Sequence, residues 1–239
     1  MTATRTESCD APDGDRFDTT VVLPDAGTGP GILLFQEIFG VNDFLLGKAN
    51  DLAALGYVVS CPDVFWRIQR NVCLPHDERS MEAAFGYVGR YVGEVADDTK
   101  VGDLVGALAH LRAMPEVQGK VATMGYCLGG LLAYLVAAAG DPDACVSYYG
   151  STTAQRLDLA PAITCPILFQ FGSEDTYIPA TEIEQIEAAF ARRPDAQVHV
   201  HAGAGHAFEN LLAPLFANAD AAARSWPITV DFLARNLQR

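Results

Sequence analysis

Side chains able to carry out acyl transfer occur in this chain in a workable order: a cysteine in a glycine-rich turn, then an acid, then a histidine. The cysteine is Cys127, in Gly125-Tyr126-Cys127-Leu128-Gly129-Gly130. That G-x-C-x-G form is a nucleophile elbow with a thiol where serine is commoner: the flanking glycines let two backbone segments cross closely while the middle residue is held in strained geometry. A thiol so placed stands at a strand tip and at a helix N-terminus, where free N–H groups and the helix dipole favour an anion. The competing reading is a buried structural cysteine in a strand-to-helix turn. Asp175 in Gly172-Ser173-Glu174-Asp175 supplies the acid, and His206 in Gly203-Ala204-Gly205-His206-Ala207-Phe208 the base. His206 would take the thiol proton and return it to the leaving alcohol, with Asp175 fixing the imidazole tautomer. Glu174 competes for that role, and an aspartate in such a turn is also ordinary turn chemistry. A tetrahedral oxyanion needs two N–H donors: the Leu128 backbone is one, and Ile38, in the loop after the strand at 31–36, is the other.

Other groups carry less. His199 and His201 share one face of a strand and suit a metal, but no third ligand accompanies them, and a half-exposed strand face explains them better. His76 and His110 have no motif context. Gly27-Thr28-Gly29-Pro30-Gly31 precedes a strand and contains a proline, so it fails as a dinucleotide-binding loop.

Positioning these residues requires strands that end near one another. Phe17, Thr19, Val21 and Leu23 alternate as in an edge strand, and the turn-rich 24–31 connection is too short for a parallel crossover, so this strand should run antiparallel to Ile32-Leu33-Leu34-Phe35-Gln36. A helix from Asp43 to Leu55, capped by Asn42 or Asp43 and stopped by Gly56, leads to the strand Tyr57-Val58-Val59-Ser60. Residues 64–97 read as an aperiodic excursion near the active site. Val101, Leu104, Val105 and Leu108 mark a helix face before the strand Val121-Ala122-Thr123-Met124, and Leu131 to Ala139 is a buried helix. Strands at 144–149, 166–171 and 197–201, a helix at about 180–192 and a closing helix around Phe232, Leu233 and Leu237 complete the chain. Alternating strands and helices predict one α/β domain over 1–239, with a mostly parallel, doubly wound sheet, helices on both faces and a poorly ordered 1–15. Functional groups then gather beyond the carboxyl ends of the strands, where Cys127, Asp175 and His206 all fall. Their order is that of the α/β-hydrolase triad.

Composition narrows the partners. Thirty acidic residues against 16 basic ones give a net charge of −14, which argues against nucleic acid and anionic membrane surfaces. The first residues lack the apolar run of a signal peptide, and no segment offers a membrane span, so a cytoplasmic protein is expected. The six cysteines show no C-x-x-C pairing, so a zinc ribbon is not indicated and reduced thiols are expected.

With Gln36-Glu37-Ile38-Phe39-Gly40 and Gly125-Tyr126-Cys127-Leu128-Gly129-Gly130 together, the chain resembles the dienelactone hydrolases, or carboxymethylenebutenolidases, over nearly its whole length after about residue 15. Cys61-Pro62-Asp63, Asp77-Glu78-Arg79, Tyr148-Tyr149-Gly150 and Gly205-His206 agree. The resemblance implies an α/β-hydrolase fold, no cofactor and no metal, and a role for Glu37 against the thiol, helping to activate it when substrate binds. Two positions depart. Where the enzymes acting on dienelactone carry two arginines that hold the substrate carboxylate, this chain has Met81 and Asn210, and a neighbouring tyrosine is Phe85. Losing a bidentate guanidinium weakens carboxylate recognition strongly.

These readings converge on a cysteine hydrolase that opens a lactone or cleaves a small ester or thioester through an acyl-Cys127 intermediate, as a monomer or small homo-oligomer. The pocket is expected to be lined by Phe39, Trp66, Tyr149, Tyr177 and Phe208, with Arg67, Arg70 or Arg79 in place of the missing clamp. The alternative is a non-catalytic hydrolase-like protein binding a small apolar ligand in the same cleft. A thiol-redox protein ranks last, because no resolving cysteine lies near Cys127 in sequence.

Overall fold

A computed structural model describes residues 3–238. Where length and the lack of a linker predict one domain, the chain divides into two compact units, Met1–Val121 and Ala122–Arg239. Among the described residues these carry eight strands, mostly paired in parallel.

In the first unit the strand order is β1-β2-β4-β3, with β1 at Ala3–Asp10, β2 at Arg16–Leu23, β3 at Gly29–Phe35 and β4 at Val58–Pro62. β3 and β4 are parallel and β2 is antiparallel to β4. The strands at 17–23 and 32–36 thus run in opposite directions, as expected, with β4 seated between them. β3 and β4 are buried residue after residue, as strands covered on both faces must be. Asn42 caps α1 (Asp43–Ala54) by accepting the Leu45 amide.

Two expectations fail here. The N-terminal residues, read as poorly ordered, form β1, paired with β2 from Ala3–Leu23 to Asp10–Arg16; residues 1 and 2 of that stretch lie outside the described residues. Side chains rather than apolar alternation hold it: His110 Nε2 meets Glu7 Oε2 at 2.7 Å, and Arg5 pairs with Glu7 and with Glu116. The excursion at 64–97 also contains a 17-residue helix, α2 (Glu78–Glu94), capped by Asp77. Its Gly86, Gly89 and Gly93 meet nothing within 4 Å, so the residues read as breaking the pattern sit on an open face and cost only propensity.

α3 (Asp97–Ala113) follows, and β5 (Val117–Tyr126) carries the chain into the second unit. There β5, β6 (Ala144–Tyr148), β7 (Ile167–Gly172) and β8 (Ala196–His201) neighbour one another in sequence order, all parallel. α4 (Leu128–Gly140), α5 (Ala180–Phe190) and α6 (Ala219–Leu237) connect and close them, with a 3-10 helix at Thr153–Ala162 that the sequence pattern did not announce. No helix of the described residues is long and apolar enough to cross a membrane.

Candidate active site

The second unit brings Cys127, Asp175 and His206 to the carboxyl ends of β5, β7 and β8. Cys127 occupies the cap of α4 with φ 55° and ψ −117°, a left-handed conformation that costs a side-chain-bearing residue free energy and persists only where neighbours enforce it. The neighbours are identifiable. A Cβ at Gly125 would collide with the Gly129 carbonyl, and one at Gly130 would lie 2.5 Å from the Tyr148 carbonyl oxygen and 2.9 Å from Gly150 Cα, so strand and helix cross at a distance only glycine allows. The Cys127 amide donates to the Tyr148 carbonyl at 3.0 Å. Leu128 is the first residue of α4, whose opening amides have no partner within the helix, so its N–H is of the kind an oxyanion needs. Cys127 is partly exposed, whereas Cys9, Cys61, Cys145 and Cys165 are buried. Burial pushes Cys9, Cys61 and Cys165 up to about 12 and Cys145 well above its ordinary value, which keeps those thiols protonated.

His206 is buried at 8% exposure, with Nδ1 2.8 Å from Asp175 Oδ2 and a further hydrogen bond to Cys127, which leaves Nε2 for the sulfur. Burial lowers the imidazole pKa, but the charge on Cys127 and the Asp175 carboxylate outweigh it and raise the pKa to about 10. The other Asp175 oxygen accepts the backbone amides of Tyr177 at 2.8 Å and Ile178 at 3.1 Å, so the turn that presents the carboxylate is built around it. Glu174, its rival in sequence, is exposed. His201 is a different histidine: buried, bonded through Nε2 to Gln170 Oε1 at 2.6 Å, and lowered to about 4 by burial first and then by Arg224 and His199.

Of the expected lining residues in this unit, Tyr177 is half exposed, its ring centre 4.9 Å from that of His206. Tyr149 and Phe208 are completely buried. Tyr149 packs on His206 at 5.1 Å, and Phe208 packs on Tyr149 and His201, so both back the histidine instead of facing open space. Positive φ recurs at Tyr149 (35°) and Ala207 (54°), beside the elbow and beside the histidine, strain that no sequence signal marked. Asn210 is wholly buried, its Oδ1 accepting the Leu212 amide at 3.1 Å, so it folds into its own loop.

In the first unit the candidates fall into two groups. Glu37, Ile38 and Phe39 lie just beyond β3. Glu37 Oε2 is 3.0 Å from His76 Nε2, both side chains nearly inaccessible, and the Phe39 ring centre is 4.3 Å from that of His76. His76 had no signal in the sequence, because its partner is 39 positions away. Trp66 belongs to the other group. It stacks on Phe17 at 5.3 Å and donates to Asp103, whose carboxylate also takes Arg67 in a two-point contact at 2.7 and 2.8 Å. Arg67 further pairs with Asp13, and the Arg70 guanidinium donates to the Arg16 carbonyl. Arg79 is exposed in the first turn of α2, and Met81 is half buried.

The family model for the dienelactone hydrolase family matches residues 17–237. A carboxymethylenebutenolidase of Pseudomonas putida is 38% identical over 93% of this chain and 92% of its own, and one of Pseudomonas sp. (strain P51) is 38% identical over 87% and 86%. Among solved structures, a dienelactone hydrolase-like promiscuous phosphotriesterase from metagenomic libraries superposes with TM-score 0.79 at 27% identity, covering 98% of this chain and 99% of that one.

Proposed function

The chain belongs to the dienelactone hydrolase family and is a hydrolase acting on ester bonds, and from that premise we propose that it opens lactones or cleaves small neutral esters through an acyl-Cys127 intermediate. The observation that carries this reading is a single histidine hydrogen-bonded to both Asp175 and Cys127, with the thiol on a strained elbow at a helix N-terminus. The Cys127 sulfur attacks the ester carbonyl, and the Leu128 amide stabilises the oxyanion. His206, protonated at neutral pH, delivers its Nε2 proton to the departing alkoxide, which leaves the acyl group on Cys127. Nε2 then accepts a proton from water as the hydroxide oxygen attacks the thioester, which releases the acid and restores the pair. Family resemblance rather than geometry assigns the remaining roles: Glu37 as the group that helps to activate the thiol, and the Ile38 amide as the second oxyanion donor.

Alkylation tests it. Two cysteines are accessible, Cys127 and the exposed Cys73. Iodoacetamide should inactivate the enzyme at the rate at which Cys127 is labelled, independently of Cys73, and Cys127→Ala should lose at least ~10⁴-fold in kcat. Inactivation that follows Cys73, or a Cys127→Ala variant of normal activity, removes Cys127 as the nucleophile; a wild-type protein that hydrolyses no ester or lactone leaves a non-catalytic ligand-binding protein as the better account.

A further inference from the structure

We infer that the groove beside His206 in the second unit is the subsite for an uncharged, apolar group on the alcohol side of the ester or lactone, an inference that rests on the hydrolase reading above. The groove has a volume of about 310 Å³, at the lower end of the range of small-ligand sites, and its walls include His206, Tyr177, Leu215 and Phe216.

Its apolar wall is held in place. Its apolar side chains are Tyr177, Leu215, Phe216 and Ala217, of which Leu215 is 72% and Tyr177 50% exposed. The segment carrying Leu215 and Phe216 is held by its own hydrogen bonds. The Asn210 amide donates to Ala207, Ala213 to Asn210, Phe216 to Ala213, and Asn218 to Phe208, while the Asn218 side chain donates to the Gly203 carbonyl at 2.9 Å. Leu215 therefore faces water because the backbone is fixed that way, at a cost that an apolar group bound in the groove would offset.

Chemistry names the occupant. The ionisable groups lining the groove are Glu174, Tyr177 and His206; the His206 imidazolium is already paired with Asp175, and no lysine or arginine is among them, so a carboxylate would meet an acid and no uncommitted cation. Asn210, in the same segment, is wholly buried and offers nothing to an anion. His206 protonates the leaving oxygen, so the part of the substrate nearest to it is the alcohol. In a lactone that is the substituent on the carbon bearing the ring oxygen; in an ester it is the alkyl or aryl alcohol.

The test separates the two ends of the substrate. Acetate esters lengthened on the alcohol side from ethyl to hexyl should gain about twofold or more in kcat/KM per methylene, below the roughly fourfold of a fully buried CH₂. Ethyl esters lengthened from acetate to hexanoate should show no comparable slope. Leu215→Asp, at a position 72% exposed, should flatten the alcohol-side slope while its melting temperature stays close to that of the wild type. An alcohol-side slope that survives Leu215→Asp, or a slope only on the acyl side, overturns the inference while the hydrolase reading stands. In parallel, 1-hexanol should shift the NMR resonances of Leu215 and Phe216 in the wild-type protein; unmoved resonances overturn the groove. Shifts without hydrolysis of any ester or lactone would keep the groove as an apolar site and remove the hydrolase reading.

Discussion

In the second unit, Cys127, Asp175 and His206 follow three strands of one parallel run, β5, β7 and β8, and meet because the backbone brings them together: a glycine-permitted crossing at the elbow, a carboxylate that organises its own turn, and a histidine bonded to both. In the first unit, the candidates are sorted by side-chain partners. Glu37 goes with His76, while Trp66 and Arg67 go with Asp103 and Phe17. Strand ends impose positions on residues whose chemistry is then free to act. Side-chain clusters between distant segments use up the chemistry of their members, so an arginine in the right stretch of sequence is not thereby an arginine available to a ligand.

The largest effect expected from this contrast is at Asp175. Its Oδ1 accepts two backbone amides and its Oδ2 faces His206, so Asp175→Asn can keep the turn while presenting an N–H₂ to Nδ1 and forcing the wrong tautomer. kcat should fall by up to ~10⁴-fold with little change in melting temperature, whereas Glu174→Gln, at an exposed position, should stay within about threefold. A fall for Glu174→Gln instead would move the acid by one residue.

The contrast also explains what was legible in the sequence. The parallel strands and the triad announced themselves because glycine spacing, apolar runs and strand-end position are local signals. β1, His76 and the fate of Arg67 were not legible, because each is fixed by a partner far along the chain: Glu7 with His110, His76 with Glu37, Arg67 with Asp103. α2 was hidden by glycines that turn out to lie on an open face. Tyr149 and Phe208 were placed at the right strand ends, but being next to His206 and being open to substrate are different properties, and only packing separates them.

A second prediction concerns charge. Arg67 is bound internally, Arg70 donates to the Arg16 carbonyl at the surface, and Asn210 is buried, so matched neutral substrates should exceed carboxylate-bearing ones by ~100-fold or more in kcat/KM, the effect of several kcal/mol of unpaired desolvation. Met81→Arg should narrow that gap, while Asn210→Arg should unfold its loop. Wild-type preference for the anion, lost in Arg79→Ala, would show that the exposed arginine of α2 supplies the clamp.

The third is a pH dependence with opposite signs at two histidines. His206, raised from 6.5 to about 10, contributes stability that is complete below about pH 6.5 and is lost as pH rises through 10; over the same limb kcat/KM should fall as the proton donor disappears. His201, lowered from 6.5 to about 4, contributes stability present above 6.5 and lost as pH falls towards 4, with no matching change in rate. His201→Gln should flatten the acid limb of a stability profile alone. An acid limb in kcat/KM that vanishes with His201→Gln would make His201 part of the chemistry.

The smallest effect on turnover is expected at Arg67, where the effect on stability is substantial. Its guanidinium grips Asp103 at two points, pairs with Asp13 at 2.8 Å and lies 4.1 Å over the Trp66 ring, with 16% of the side chain exposed. Arg67→Ala would leave the Asp103 carboxylate, 5% exposed, with the Trp66 N–H as its remaining side-chain donor. Breaking such a pair should cost about 3 kcal/mol in denaturant unfolding, the low end for buried pairs because Asp13 lies at the surface. Replacing Arg67 and Asp103 together by leucine should recover much of that loss, since no buried charge is then stranded. Turnover of neutral esters should stay within about threefold in both variants. If Arg67→Ala instead leaves stability intact and selectively weakens anionic substrates, the guanidinium serves the ligand and the division between the two clusters of the first unit is wrong.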